Sequence, residues 1–212
     1  FNYVFNDRHS VGATYEVNIN PYSRGGWNSL MDVWKNGSKT ESYTNDMYCR
    51  FKSRPTQDIT AYYAGQIGKV SIEWNGEIYL RKTGQTQYSE ETGIEGGDSR
   101  TIESDFTADS WMHASKLVLS FPVWKGTLKI GNEFTESCRA NLYTIDEQGT
   151  DLPGKTDDQV KESNLAAFVS YGLRLNNVEL NAGLRYEHVS SNYYNTGGDY
   201  WSEENKDYFV PD

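Results

Sequence analysis

The sequence contains no long apolar run, no excess of basic residues and almost no cysteine. No stretch approaches the roughly 18 consecutive apolar residues of a membrane-spanning helix, which excludes a helical membrane protein. Lys and Arg number 20 against 30 Asp and Glu, and this net charge of -10 argues against binding to nucleic-acid phosphates. Two cysteines in 212 residues, Cys49 and Cys138, cannot form a disulfide framework, and the sequence leaves open whether they pair.

Catalytic and metal-binding motifs are also missing. The three histidines, His9, His113 and His188, lie far apart in the sequence and show no metal-ligand spacing. The sequence contains no HExxH, GxSxG or phosphate-binding loop motif. We therefore predict no enzyme activity, no metal site and no cofactor.

Apolar and polar side chains alternate along several segments of the chain. Successive side chains in a strand point to opposite faces, so each such segment has one apolar and one polar face. Aromatic residues make up 14% of the chain, which is also typical of strands and not of disorder. We predict one all-β domain over residues 1–212, an antiparallel up-and-down meander of about nine long strands. The alternating segments are Val11–Ile19, Ile59–Ile67, Val70–Leu80, Leu117–Val123, Leu128–Phe134, Leu165–Leu175 and Val178–Tyr186.

Short and long connections alternate between the predicted strands. Tight turns are predicted at Asn36-Gly37, Gly68-Lys69, Lys125-Gly126 and Asn176-Asn177. Long polar loops are predicted over roughly residues 83–97, 144–161 and 190–206. The longest predicted strands have about 14 residues, whereas strands of soluble proteins usually have about 5 or 6. Long strands with turns at one end and loops at the other are typical of an outer-membrane β-barrel.

The polar faces carry many charges, and two folds explain them. In an outer-membrane barrel the apolar face meets lipid and the charged face lines a wet lumen, whereas in a soluble β-sandwich the apolar face is the core. Strand length favours the barrel. An odd number of strands would not close a bacterial barrel, so we expect part of a longer protein. Isolated in water, such a piece is expected to curl its apolar face inward or to pair edge to edge with a second copy.

Five short motifs occur in order along nearly the whole chain. They are NDRHSVG at Asn6–Gly12, YYAG at Tyr62–Gly65, LKIGNEFT at Leu128–Thr135, NLAAFVSY at Asn164–Tyr171 and AGLRYEH at Ala182–His188. In this order they resemble the NDKHSLG, YYxG, LKxGxEFT, LAAYVSY and AGLRYE elements of the outer-membrane β-barrel family related to TonB-dependent receptors.

This resemblance implies a barrel of about 22 strands that encloses an N-terminal plug. The parent protein would lie in a Gram-negative outer membrane and take up or bind a nutrient. The present chain would be a portion of the barrel wall, without the plug, the signal peptide and the remaining strands. Its partners would be outer-membrane lipid, those strands, the plug and an unknown small ligand such as a glycan, a peptide or a chelate.

Two groups of residues are candidates for ligand contact. Aromatic rings beside hydrogen-bonding groups suit sugar or peptide recognition, and the predicted loop Asn192–Trp201 contains Tyr193, Tyr194, Asp199, Tyr200 and Trp201. Alternatively, these aromatics pack on neighbouring loops, form an interfacial belt, or serve as the platform of a soluble carbohydrate-binding or adhesion module. The residues predicted to line the lumen are Glu73, Glu77, Arg81, Glu133, Arg185 and Glu187. Alternatively, these carboxylates are wall charges paired with Arg81, Lys129, Arg174 and Arg185.

Overall fold

The computed structural model describes residues 1–52, 54–147, 154–175, 178–195 and 200–211. Nearly all of them are in strands, which confirms the predicted all-β class. In this part of the chain no helix is long and apolar enough to cross a membrane. The strands are β1 (Asn2–Asn6), β2 (His9–Ile19), β3 (Ser23–Lys35), β4 (Ser38–Phe51), β5 (Pro55–Ile67), β6 (Val70–Glu95), β7 (Arg100–Val123), β8 (Gly126–Glu147), β9 (Lys155–Leu175), β10 (Val178–Asn195) and β11 (Tyr200–Pro211).

The strands form one antiparallel sheet in the order β1-β2-β5-β6-β7-β8-β9-β10-β11. The first part of β6 pairs with β5, and its continuation pairs with β4, which in turn pairs with β3. Ile19 pairs with Pro55 and Ser23 pairs with Phe51, and both pairs of residue numbers add to 74, so one register continues from β2–β5 into β3–β4. The eleven strands therefore correspond to nine passes of the chain, as predicted.

The two ends of the sheet differ. At the turn end, Gly68 has a φ of 62° between β5 and β6, and Trp124 has a φ of 51° between β7 and β8. At the opposite loop end, Asn36 and Gly37 have φ values of 52° and 80°, as a type I′ turn requires. The tight turn at Asn36-Gly37 is thus confirmed, but it lies at the loop end. The predicted Asn176-Asn177 turn lies outside the described residues.

The prediction of three long loops is largely wrong, because most of those residues extend the strands. In the first stretch β6 continues to Glu95 and β7 begins at Arg100, and in the third β10 continues to Asn195 and β11 begins at Tyr200. These stretches are rich in Thr, Tyr and Ser, which pair well across strands. A strand with water on both faces does not need apolar and polar residues to alternate. Its sequence is therefore as polar as that of a loop.

The sheet has no core of large side chains. The chain exposes 14425 Å², whereas a globular protein of 24.2 kDa exposes about 10,000 Å². The buried apolar residues are all small, namely Cys49, Ala108, Cys138 and Ala166. No second sheet covers the apolar face within the described residues, so the β-sandwich alternative is wrong.

The edges of the sheet are open. Among the described strands, β1, β3 and β11 each pair on one side only. The apolar face is exposed in this structure. How the isolated chain covers it in water, by curling inward or by pairing with a second copy, stays a prediction. Cys49 and Cys138 are both free and lie on β4 and β8, with β6 and β7 between them.

Candidate functional site

One face of the sheet, the apolar face on which Ile72, Trp74 and Ile130 lie, carries an apolar band beside the turn end. Along this face the band covers Val70–Leu80 on β6 and Val178–Tyr186 on β10. These lengths agree with the roughly 9–11 residues of a strand that crosses a bilayer.

Ion pairs begin on the apolar face where the band ends. The Lys82 Nζ lies 2.9 Å from Asp109 Oδ2. On neighbouring strands, Lys161 Nζ lies 2.6 Å from Glu136 Oε1. His188 Nδ1 is within hydrogen-bond distance of Asp207 Oδ1, at 2.8 Å. Charged pairs at this level show that the strands leave apolar surroundings here and continue into water.

The opposite, charged face carries a cluster of ion pairs at the level of the band. Arg185 of β10 reaches over β9, and its Nη2 lies 2.6 Å from Glu133 Oε2 on β8. Arg185 also pairs with Glu187, and Lys116 of β7 pairs with Glu133. Ala166 of β9 pairs in register with both Glu133 and Glu187 and is 0% exposed. A methyl side chain at Ala166 therefore leaves room for the bridge over β9.

An aromatic ring supports this cluster. The Phe168 ring centroid lies 5.6 Å from Lys116 Nζ and 6.0 Å from Arg185 Cζ, within cation–π range. The ring lies over Gly131, where an added Cβ would collide with it. The missing side chain at Gly131 thus makes space for the ring between the two cations.

The predicted carboxylates on β6 are separate from the cluster. Glu73, Glu77 and Arg81 lie on the charged face of β6, and none forms an ion pair with another described residue. Glu77 lines a depression of about 450 Å³, together with Lys116 and Glu133. The charged face therefore has unpaired acids on β6 beside a neutralised cluster on β7–β10.

The aromatic residues predicted to form one loop platform lie on two strands and on opposite faces. Tyr193 of β10 and Tyr200 of β11 share the charged face, with ring centroids 6.0 Å apart. Tyr194 and Trp201 pair in register on the other face, and both are exposed. Asp199 lies outside the described residues. The prediction of a single loop cluster is therefore wrong.

The strands beyond the band, which we call the extension, are held by polar side chains. Ser89 Oγ donates a 2.7 Å hydrogen bond to Asn45 Oδ1, and both residues are buried. Thr86 Oγ1 donates to Asp105 Oδ1 at 2.6 Å, and Lys52 Nζ lies 3.0 Å from the same oxygen. The Thr86 hydroxyl and then the Lys52 ammonium hold the pKa of Asp105 below its ordinary value.

A model of the outer membrane protein beta-barrel family matches residues 69–211, which is more than half of the chain. The chain belongs to this outer-membrane β-barrel family. No curated protein matches the sequence significantly.

Several solved structures are similar to the chain at low identity. The unliganded ferric citrate transporter FecA is 10% identical to the chain, with a TM-score of 0.42. The matched region covers 98% of this chain and 39% of FecA. The ferric yersiniabactin uptake receptor FyuA from Yersinia pestis is 10% identical, with a TM-score of 0.44, and the match covers 100% of this chain and 40% of FyuA. The outer membrane protease OmpT from Escherichia coli is 12% identical, with a TM-score of 0.33, and the match covers 99% of this chain and 79% of OmpT. The chain thus spans about two fifths of FecA and FyuA, and this level of similarity says nothing about its ligand.

Family membership assigns the two faces and the two ends. In an outer-membrane β-barrel the apolar band meets lipid and the opposite face lines the lumen. Short turns face the periplasm, so the extension stands above the outer surface. On β6 the extension runs from Lys82 to Glu95, about 45 Å of strand.

Sequence reasoning found part of the lumen cluster. Glu133, Arg185 and Glu187 come together as predicted acids and bases on one face, and Arg185 pairs with acids as the alternative interpretation supposed. Lys116, Ala166 and Phe168 were missed. Lys116 occupies a polar position beside the apolar stripe of β7, but only the register between strands shows that it meets Glu133. Within the described residues, no three His, Cys, Asp or Glu side chains are grouped to hold a metal ion.

Proposed function

We propose that the chain is part of the barrel wall of an outer-membrane protein related to TonB-dependent receptors, which binds or takes up a nutrient. The wall separates lipid from a charged, wet lumen, and the extension forms the mouth through which the ligand enters. Lipid, the remaining barrel strands and a plug are its partners.

One observation carries this proposal, namely that the charged cluster and the apolar band lie back to back. Glu133 and Phe134 are consecutive, yet Glu133 makes ion pairs on one face and Phe134 belongs to the apolar band on the other. A single sheet that is apolar on one face and ionic on the other suits a boundary between lipid and water.

The open edges support a role for further strands. The unpaired backbone groups of β1, β3 and β11 would be costly in lipid, so strands from elsewhere in the parent protein are needed to pair with them. The role of the wall is binding and passage of a ligand and not catalysis.

At the mouth, Tyr193 and Tyr200 are the ligand-contacting residues that we favour. They are on the same face as the lumen cluster, and the Asn195 side-chain amide donates to Tyr193 Oη at 3.3 Å. Paired rings beside an amide suit a glycan, a peptide or an aromatic chelate. Tyr194 and Trp201 lie on the opposite face of the same two strands. Their replacement is therefore the matched control for replacement of Tyr193 and Tyr200 in a measurement of ligand binding.

Tryptophan quenching by brominated lipid tests the assignment of the faces. Variants that retain only Trp74, in the apolar band, or only Trp27, in the extension, are refolded into bilayers with bromine on the acyl chains. Strong quenching of Trp74 and little quenching of Trp27 is expected, and the chain should need detergent or lipid to stay dispersed. A folded monomer in plain buffer, or equal quenching of both residues, would contradict the barrel wall.

A further inference from the structure

A second depression, of about 660 Å³, lies on the charged face at the turn end. It is separate from the ion-pair cluster and from the mouth. Side chains at and beside the facing ends of β8, β9 and β10 line it, among them Lys125, Thr127, Lys129, Ser170, Arg174 and Glu179. Three of these six side chains are cationic and one is anionic.

The cations of this depression differ from those of the cluster. Lys116 and Arg185 are both paired with carboxylates. Lys129 and Arg174, by contrast, make no ion pair or hydrogen bond with another residue of the described chain, and both are exposed. The depression also contains one carboxylate, that of Glu179, which pairs in register with Arg174. Three cations against this single acid leave a net positive charge at one place on the lumen wall, in a chain whose net charge is -10.

A glycine keeps the depression open. A Cβ at Gly172 would lie 2.7 Å from Asn181 Oδ1, inside normal contact distance. Gly172 lies between Thr127 and Asn181 in register. Because Gly172 has no side chain, its backbone forms the floor of the depression, bordered by the Thr127 hydroxyl and the Asn181 amide. These groups can hydrogen-bond a backbone laid across the floor.

The spacing of the cations selects the shape of the occupant. Lys129 pairs with Ser170, which lies four residues from Arg174 along β9, so the Cα atoms of Lys129 and Arg174 are about 13 Å apart along the strands. An extended peptide with acidic side chains four residues apart has the same repeat.

We propose that this depression binds an acidic, extended peptide segment at the periplasmic end of the lumen. Lys129 and Arg174 receive two of its carboxylates, while Thr127 and Asn181 hydrogen-bond its backbone. The location in the lumen rests on the proposed function, whereas the binding site itself rests only on the charged face. Peptide binding and bilayer quenching can therefore fail independently.

Fluorescence anisotropy with defined peptides tests the site on the detergent-refolded chain. The probe is a labelled Ser/Thr-rich peptide with two glutamates four residues apart, and matched probes carry one glutamate or two glutamines. The double variant Lys129→Gln with Arg174→Gln should weaken binding of the two-glutamate probe by about tenfold or more. Lys82→Gln removes a cation from the apolar face and should leave the affinity unchanged.

Further variants separate loss of the site from loss of the fold. Circular dichroism checks that each variant is folded, and the pair Lys129→Arg with Arg174→Lys should retain binding if the double glutamine variant does not fold. Glu179→Gln removes the one acid and should tighten binding. Equal affinity for the one-glutamate or two-glutamine probe, displacement of the peptide by equimolar inorganic phosphate, or equal weakening by Lys82→Gln would overturn the proposal.

Discussion

The two halves of β6 are one continuous strand in two different surroundings. From Val70 to Leu80 the strand alternates between apolar side chains on one face and polar side chains on the other. From Lys82 to Glu95 both faces are polar, and Thr86 and Ser89 take part in hydrogen bonds between strands. The same backbone ladder therefore continues while the side chains that stabilise it change.

The difference shows that different interactions stabilise the two halves of β6. In the apolar band, lipid covers one face and the side chains there need only be apolar. In the extension no lipid or core covers either face, so side-chain hydrogen bonds and ion pairs between strands add to the ladder. A substitution should therefore have unlike effects in the two halves, even on the same face of the same strand.

The largest expected effect is that of a charge placed in the band. Leu184→Arg puts a guanidinium on the lipid-facing side of β10, where Leu184 is 50% exposed, and should lower the free energy of unfolding in bilayers by about 2–4 kcal/mol. Tyr194→Arg is the control, since Tyr194 lies on the same face of the same strand but in the extension and is 45% exposed. Its effect should stay within about 0.5 kcal/mol. Equal effects in urea titrations would show that the band does not face lipid.

A smaller effect is expected at the lumen cluster. Ala166→Leu places a larger side chain where Arg185 reaches over β9 to Glu133, and should cost about 1–3 kcal/mol through overpacking and loss of the bridge. Ala167→Leu, one residue along but on the exposed apolar face, should be nearly neutral. Chemical unfolding of both variants in detergent makes the comparison. A cost at Ala167 as large as that at Ala166 would contradict the role given to the bridge.

The contrast between the halves also explains what the sequence could predict. In the band, alternation such as that of Val178–Tyr186 identified the strands, because one face is apolar. In the extension alternation disappears, so residues 83–95 resembled a loop although they are strand. The alternation of apolar and polar residues thus depends on what surrounds a segment as much as on whether the segment is a strand.

The site was predicted only as far as faces could be assigned within one strand. Glu133 and Arg185 are 52 positions apart, and their contact depends on the registers of β8, β9 and β10 taken together. Tyr193 and Tyr194 are adjacent, and the pleat of a strand separates them to opposite faces. A loop would have allowed both to meet one ligand, whereas on a strand only one of the two faces the lumen. Ligand contact at this place stays a prediction.

In the extension, the buried hydrogen bond between Ser89 and Asn45 is expected to stabilise the pairing of β4 with β6. Ser89→Ala leaves Asn45 Oδ1 buried without its donor, which should cost about 1 kcal/mol. Ser110→Ala is the control, because Ser110 makes no hydrogen bond with another described side chain and lies on the neighbouring strand. Hydrogen exchange of the β4 and β6 amides should rise only in the Ser89 variant. If exchange is unchanged there, polar pairs do not hold the extension together.

The smallest expected effect is a pH dependence that is confined to the extension. The pKa of Asp105 is lowered from its ordinary value of 3.8 by the Thr86 hydroxyl and the Lys52 ammonium. Because the folded state favours the carboxylate, its contribution to stability is present above pH 3.8 and is lost as the pH falls through the lower folded pKa. Acid should therefore increase amide exchange in residues 82–95 and 100–110 before it affects the band.

Thr86→Val removes the donor, raises the pKa of Asp105 and should move this transition to higher pH. Thr107→Val, on the same face of β7 but without a hydrogen bond to a described residue, should leave it in place. An acid transition that starts in the band, or that moves equally in both variants, would show that the two halves are not stabilised differently.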